Sequence, residues 1–278
     1  MKTILVPTDF SETAANALEY AAELAAYTQS KLILFHAYHI PAIVTEVPFV
    51  TTSQDFQLEE RSNEQLKLVV KDLSKRIGPK LNVEYISSAG LLSDIISEIV
   101  KEKNCDIIVM GTQGAGGSNV FLGSNTMSVI KNTRCNLLAI PDKVKFRNVD
   151  KVVLAFDYVS IQNTAVFSPL IELSSTFNSE ILIFNMLDSR LHPALEKETA
   201  GVQLERALEN VKHTYWFSEK ENIVEAINSF AATSNAVMIA MIRRHHNFFQ
   251  QIFTKSNTGQ MALYSHLPLL ILHEDIAI

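Results

Sequence analysis

The residues best suited to do chemistry lie in a glycine-rich segment, 106–126, which reads DIIVMGTQGAGGSNVFLGSNT. An apolar run typical of a buried strand ends here, and five glycines lie between Gly111 and Gly123. Glycines let backbone N–H groups approach a phosphate without a Cβ in the way. The helical pattern that begins near Ser124 would add unpaired N–H groups and a partial positive charge, and the hydroxyls of Ser124 and Thr126 could donate as well. The segment predicts a phosphate-binding loop, although the same glycines could serve only a tight turn.

The loop is neither of the two common nucleotide motifs. It has no Gly-Lys-Ser/Thr as in a Walker A loop, and no Rossmann fingerprint follows the first strand. Because no lysine lies inside it, backbone dipoles, with or without a metal such as Mg²⁺, would have to balance the phosphate charge. This composition favours binding over fast phosphoryl transfer.

The elements that would position this loop occur twice along the chain. Short β-branched runs alternate with longer helical patterns, which predicts βαβ units and parallel sheets. We therefore predict an α/β fold of two tandem flavodoxin/Rossmann-like domains, residues 1–145 and 146–278, each with a five-stranded parallel sheet covered by helices on both faces. The predicted strands are Thr3–Pro7, Lys31–Ala37, Val83–Ser87, Asp106–Met110 and Asn136–Ile140, then Lys151–Ala155, Glu180–Asn185, His213–Phe217, Ala236–Ala240 and Pro268–Leu272.

Local matches support the repeat. The segment 121–126, FLGSNT, corresponds to 253–258, FTKSNT, and each precedes a helical pattern and a last apolar strand. Asp9 ends the first strand of one half and Asp157 that of the other. Ser11 is a predicted N-cap for the first helix, whose small residues suit close packing on a sheet. The segment from Tyr38 to Gln54 predicts a long loop.

Composition restricts the classes of function. The 278 residues carry a formal net charge of −6, which argues against general binding to nucleic acid. No apolar run approaches the about 20 residues that span a bilayer, and the start of the chain does not resemble a signal peptide. With only Cys105 and Cys135, both predicted to be small core residues, a disulfide scaffold is excluded. We therefore expect a cytoplasmic protein with no membrane contact.

At this point the chain resembles the universal stress protein (UspA) family in its tandem form. The opening segment 4–14, ILVPTDFSETA, is similar to that family's first strand and turn. The loop resembles its signature, Gly-x-x-Gly followed after nine residues by Gly-Ser/Thr. Gly111, Gly114, Gly123 and Ser124 match it, but only eight residues separate Gly114 from Gly123. The resemblance implies an adenine nucleotide alpha hydrolase-like fold.

The resemblance also implies a ligand, ATP or its relatives ADP and AMP, at the carboxyl edge of the first sheet. The turn after the first strand would lie against adenine and ribose, and backbone at the end of the second strand would meet the adenine edge. Asp9 alone could equally be a turn or capping carboxylate. The implied binding residues are Pro7, Thr8, Asp9, Ala37, Met110, Gly111, Gln113, Gly114, Gly123, Ser124, Asn125 and Thr126.

The second copy of the loop, 241–258, has lost the glycines. Ile242, His245 and Lys255 stand in their places, and Ala155 replaces Pro7. We expect ordinary ATP binding to be lost there. The basic residues around Arg243 could be solvated, receive another anion, or reach across to the nucleotide of the first domain. Phe248 and Phe249 could form a partner-binding knob or a buried pair, and His36, His39 and His273 are expected to be structural.

These patterns lead to three hypotheses of function. The first is a regulatory stress-response protein that binds an adenine nucleotide in its N-terminal domain and changes its contacts with a protein partner. The second is a slow ATPase that uses Asp9 to hold a metal or orient water, and the third is a nucleotide-free interaction scaffold. The resemblance implies that Leu137–Ile140 and Leu269–Leu272 pair as an intramolecular pseudo-dimer, which leaves a homodimer of the whole chain open.

Overall fold

The computed structural model describes residues 1–39, 53–78, 81–112, 122–157, 161, 163–186, 194–218, 223–243 and 266–274. Within these ranges strands and helices alternate, so the predicted α/β fold is confirmed. The strands are β1 (Thr3–Pro7), β2 (Lys31–Tyr38), β3 (Asn82–Ala89), β4 (Ile107–Gly111), β5 (Asn136–Ile140), β6 (Lys151–Ala155), β7 (Glu180–Met186), β8 (His213–Ser218), β9 (Met238–Arg243) and β10 (Leu269–His273). The helices are α1 (Glu12–Thr28), α2 (Ser53–Ile77), α3 (Leu92–Lys103), α4 (Ser124–Asn132), α5 (Ser168–Phe177), α6 (Ala194–Leu208) and α7 (Ile223–Thr233), and a 3-10 turn, Thr164–Phe167, precedes α5.

The described strands form one sheet in the order β3-β2-β1-β4-β5-β10-β9-β6-β7-β8. The first five strands and the last five repeat the same parallel order, and we call these two parts the first half and the second half. They meet where β5 pairs antiparallel with β10, with Leu138 opposite Leu270. The expected pairing of the two last strands is therefore confirmed.

Seven of the ten strands differ from their predicted bounds by one to three residues at an end, and they are β2, β3, β4, β7, β8, β9 and β10. Strand β9 begins at Met238 and continues to Arg243, because Arg243 still pairs with His273 of β10. Strand β4 begins at Ile107, and the carboxylate of Asp106 accepts hydrogen bonds from the backbone N–H groups of Lys2 and Thr3, at 2.6 and 2.8 Å. Asp106 thus fastens the start of β1 to the start of β4.

The antiparallel junction sets the directions of the two halves. Because β5 and β10 run in opposite directions, the carboxyl ends of the strands lie at one edge of the sheet in the first half and at the other edge in the second half. Ligands of open α/β sheets bind at carboxyl edges. Any sites of the two halves would therefore face opposite ends of the molecule.

Helices cover both faces of the first-half sheet. Ala17, Ala21 and Ala25 of α1 are at most 1% exposed and pack in one core layer with Val6, while Ile96 of α3 and Val129 of α4 pack in the other. Ser11 caps α1 as predicted, since its Oγ accepts from the N–H of Ala14 at 3.2 Å. Helix α1 thereby starts directly above the end of β1.

Both cysteines are free thiols buried in the core, as predicted. No helix in the described ranges is long and apolar enough to cross a membrane.

Candidate functional site at the carboxyl edge of the first half

The candidate site lies where the strand order of the first half changes direction. From β1 the chain moves outward to β2 and β3, then returns to β4 on the other side of β1. Such a reversal leaves a crevice at the carboxyl ends of the two central strands, because the helices that follow them leave on opposite faces. Here α1 follows β1 on one face and α4 follows β4 on the other.

The turn after β1 is held by its own side chains. Thr8 is buried, its N–H donates to Phe35 O at 2.7 Å, and its Oγ1 accepts from the N–H of Phe10 at 3.0 Å. The exposed Asp9 accepts from the N–H of Ser11 through Oδ1, also at 3.0 Å. One oxygen of Asp9 therefore has the turn-forming role that the sequence left open.

Aromatic packing fixes the same turn from the side of β2. Phe10 adopts a left-handed φ of 61°, a conformation that strains a residue with a side chain. The centroid of its ring lies 4.5 Å from that of the His36 ring. His36 Nδ1 is in turn 2.7 Å from Ser62 Oγ of α2. Burial lowers the pKa of His36, and the Asp9 carboxylate partly opposes this. His36 thus has the structural role expected from the sequence.

The end of β4 is joined to the start of α4 by two hydrogen bonds. The N–H of Gly123 donates to Thr112 O at 2.6 Å, and Thr126 Oγ1 donates to Gly111 O at 2.9 Å. Thr126 is only 3% exposed. In this structure its hydroxyl hydrogen is therefore directed to the backbone.

The start of α4 has no side-chain cap in the part of the chain that the structure describes. Gly123 is the N-cap and provides no side-chain hydrogen bond to the helix end, and Ser124 and Asn125 are exposed. The first N–H groups of an α-helix have no partner within the helix, and they attract anions together with the helix dipole. No acidic residue lies in this first turn, so the end of the helix keeps its partial positive charge.

Gly111 is required for packing, whether or not a ligand binds beside it. A Cβ at this position would lie 2.6 Å from Thr13 Cγ2 and 3.1 Å from Thr13 O, at the first turn of α1. Contacts below 3.0 Å are not found for real Cβ atoms. This glycine therefore allows β4 and α1 to approach each other, a reason that the motif alone did not reveal.

The structure brings most of the predicted site residues to one edge. Those at or next to the ends of β1, β2 and β4 and at the start of α4 are Pro7, Thr8, Asp9, Ala37, Met110, Gly111, Gly123, Ser124, Asn125 and Thr126. Gln113 and Gly114 lie outside the described residues, as does most of the predicted loop Tyr38–Gln54.

The corresponding edge of the second half is filled by its own side chains. Phe156 occupies the position of Thr8, since its N–H donates to Phe184 O at 3.0 Å, and it is only 2% exposed. Asn185, one residue beyond Phe184, is buried, and its Nδ2 donates to Phe156 O at 2.9 Å. A buried aromatic ring and a buried amide thus stand where the first half has Thr8 and His36.

Arg243 does not approach the candidate site. Its guanidinium donates to Lys131 O at 3.0 Å, in the last turn of α4, and contacts His273 Nε2. Lys131 lies at the opposite end of α4 from Gly123, so the hypothesis that Arg243 reaches across to a first-half nucleotide is wrong. Arg244, His245, Lys255, Phe248 and Phe249 lie outside the described residues.

Titratable side chains do not form a metal site in the part of the chain that the structure describes, where no group of three or more His, Cys, Asp or Glu is suitably placed.

Comparison with known proteins finds relatives of this chain in a single family. The family model for the universal stress protein family matches residues 1–141. Universal stress protein MJ0531 of Methanocaldococcus jannaschii is 30% identical over 147 residues, which cover 50% of this chain and 81% of that protein. Universal stress protein MJ0577 of the same organism is 28% identical over 155 residues, covering 51% and 96%. The crystal structure of a universal stress protein from Archaeoglobus fulgidus DSM 4304 aligns with a TM-score of 0.68 and 17% identity over 98% of this chain and 96% of that one, which shows a shared fold.

Proposed function

Because this chain belongs to the universal stress protein family, we propose that its first half binds an adenine nucleotide and acts in the stress response as a nucleotide-dependent regulator. The phosphates would lie at the start of α4, and adenine and ribose would lie between the turn after β1 and the end of β2. The division into two domains, 1–145 and 146–278, is part of the same proposal, with binding confined to the first.

The observation that carries the proposal is the position of α4. Its first turn opens beside the end of β4, at the point where the strand order reverses, and Gly123 leaves that turn without a side-chain cap. Unpaired N–H groups, a positive dipole end and a crevice between strands are the three features that a phosphate ligand needs. The exposed Ser124 adds a hydroxyl at the same place.

The side chains of the second half support the proposal that only the first half binds a nucleotide. Phe156 and Asn185 are buried at its edge, and Asn185 Nδ2 donates to the backbone oxygen of Phe156. A nucleotide there would have to displace a buried aromatic side chain, which costs about 1.5–3 kcal/mol in lost burial alone.

The proposal also includes a cytoplasmic location and a protein partner whose contacts depend on nucleotide occupancy. A ligand changes such contacts only through unequal affinity for two states of the protein. The turn at Thr8–Ser11 is suited to transmit occupancy, since it contacts α2 through Phe10, His36 and Ser62.

The test is the nucleotide content of the protein purified without added ligand, measured by ion-exchange chromatography after denaturation. Ser124→Glu is the informative variant, because a carboxylate in the first turn of a helix favours the helix but repels phosphate. Ser124→Gln is the matched uncharged control. We expect near-stoichiometric ATP, ADP or AMP in the wild type and in Ser124→Gln, and little in Ser124→Glu.

Two outcomes would contradict the proposal. A wild-type protein that is purified empty, and whose melting temperature is unchanged by millimolar ATP, ADP and AMP, would rule out the proposal, since a ligand specific for the native state raises stability. Equal nucleotide content in Ser124→Glu and Ser124→Gln would place the ligand elsewhere.

A further inference from the structure

A second cavity lies at the junction of the two halves, separate from the candidate nucleotide site. It has a volume of 320 Å³ and is bounded by Tyr20 of α1, by the segment 143–149 that follows β5, and by Val237, His266 and Pro268 of the second half. Helix α1 covers one face of the sheet and α4 the other. The junction cavity is therefore on the opposite face from the start of α4.

The segment that borders this cavity places three cationic side chains on one side. Val144 and Phe146 pack against the core, whereas Lys143, Lys145 and Arg147 are exposed and line the cavity. The segment therefore brings positive charge to the cavity wall, while Val144 and Phe146 anchor it to the core.

The segment is held in place by the first half. Asn16 of α1 is buried, and its Nδ2 lies 3.2 Å from both Pro141 O and Val144 O. The ring of Phe146 packs edge-on against the ring of Tyr20 at 5.4 Å. The cations are therefore carried on a fixed backbone, which reduces the entropy lost when a ligand binds.

Tyr20 contributes a buried polar group to the cavity. The residue is 3% exposed, and it lines the cavity. Burial raises the pKa of Tyr20, with Arg147 opposing and Glu23 adding to this effect. The hydroxyl therefore stays protonated and can donate to an anion.

The charges around the cavity do not cancel. Lys145 pairs with Glu19, which also pairs with Arg76. Lys143 and Arg147, in contrast, have no carboxylate within salt-bridge distance in the described part of the chain, and no acidic residue lines the cavity. Glu23 is close enough to raise the pKa of Tyr20, but Lys143 and Arg147 are two cations against this one carboxylate.

We infer that this junction cavity is a binding site for a small phosphorylated anion, held by Arg147, Lys143 and the hydroxyl of Tyr20. A guanidinium can bind phosphate oxygens in pairs, and charge-assisted hydrogen bonds are the stronger class. Because Val237, His266 and Pro268 complete the wall, an anion bound there contacts both halves. It would stabilise their junction independently of the nucleotide.

The experiment is a calorimetric titration of the full chain with sodium pyrophosphate at low ionic strength. It is done in the Ser124→Glu background, so that the candidate nucleotide site does not contribute. Four further changes are added singly: Arg147→Gln, Tyr20→Phe, Lys143→Asn and Lys75→Gln. The last of these removes an exposed charge from the last turn of α2. Tyr20→Phe keeps the ring that packs on Phe146, and thermal unfolding verifies that each variant is folded.

We expect one pyrophosphate per chain in Ser124→Glu and the same affinity with Lys75→Gln added. Arg147→Gln and Tyr20→Phe should each weaken binding about tenfold or more, the loss expected when a hydrogen bond to a charged group is removed. A Lys143→Asn variant, which suits the left-handed φ of 63° at this position, should also bind more weakly.

Three outcomes would overturn the inference. The first is no binding at millimolar pyrophosphate in Ser124→Glu, and the second is equal affinity in Arg147→Gln, Tyr20→Phe and Lys75→Gln. The third is pyrophosphate binding in the wild type that Ser124→Glu alone abolishes, which would assign the anion to the start of α4. Failure of the proposed nucleotide function leaves these outcomes unchanged, because none of them depends on an adenine nucleotide.

Discussion

Gly111 of β4 lies so close to Thr13 of α1 that a Cβ placed on the glycine would come within 2.6 Å of the threonine Cγ2. The contact joins the end of one central strand to the first turn of the helix that follows the other. It sets the width of the crevice at the point where the strand order reverses. A residue of the candidate binding loop is therefore also a packing residue.

Gly111→Ala should lower the free energy of unfolding by about 1–3 kcal/mol, the usual range for an added methyl group in a well-packed place. Thr13→Ser removes the Cγ2 methyl that the new Cβ would meet, so the double variant should recover part of this loss. Thr13 O, at 3.1 Å, would still resist the change. Urea unfolding of the two single variants and the double variant forms a cycle that measures the coupling. Strictly additive losses would contradict this account of Gly111.

The sequence could predict much of this fold because the patterns that determine it are local. Apolar runs such as Ile107–Met110 and the N-cap at Ser11 are readable within a few residues. The contact of Gly111 with Thr13 and the bond from Thr126 to Gly111 O join separate elements. Such contacts depend on how β4, α1 and α4 pack, which no local pattern contains.

The same limit applies to the junction between the halves. Asn16 sits among small residues of α1, where its type indicates only a polar position in a packed helix face. In the structure its amide binds the segment after β5 at Pro141 and Val144. Likewise, Arg243 belongs to a basic run in the sequence, but the antiparallel pairing of β5 and β10 directs it to the end of α4.

The pH dependence of stability should include a contribution from His36. Burial lowers the pKa of this histidine below its ordinary value of 6.5. As pH falls below about 6.5, the unfolded chain takes up a proton more readily than the folded protein does. The stability associated with neutral His36 is therefore complete above that pH and is lost as pH falls through the pKa of the folded state.

His36→Asn removes the titrating ring, so the difference in unfolding free energy between wild type and variant should shrink as pH decreases from 8 to about 5. Urea unfolding across this range provides the measurement. Parallel curves for wild type and His36→Asn would show that the ring does not titrate differently in the two states.

The two cysteines should be unreactive in the native protein. Burial raises the pKa of Cys105 to about 12, and burial also raises the pKa of Cys135. Because the thiolate is the reactive form, neither thiol should react readily with Ellman's reagent at pH 8, and both should react at once in denaturing urea. Rapid labelling of folded protein would contradict their assignment as core residues.

The β5–β10 junction should make the two halves unfold together. Leu270 of β10 and Leu138 of β5 are register partners, and both are fully buried. Leu270→Ala should lower the free energy of unfolding by about 2–5 kcal/mol, as for other buried leucines. Leu68→Ala, on α2 with 66% of the leucine exposed, is the matched control and should change it by no more than about 0.5 kcal/mol.

Trp216 allows the coupling itself to be measured, since it is the single tryptophan and belongs to β8 of the second half. Its fluorescence reports the second half, whereas far-ultraviolet circular dichroism reports helices of both. If the junction couples the halves, the two signals should follow one urea transition in the wild type, and Leu270→Ala should shift both to lower urea. A variant in which only the fluorescence transition moves, while part of the dichroism signal unfolds at the wild-type midpoint, would show that the halves are independent.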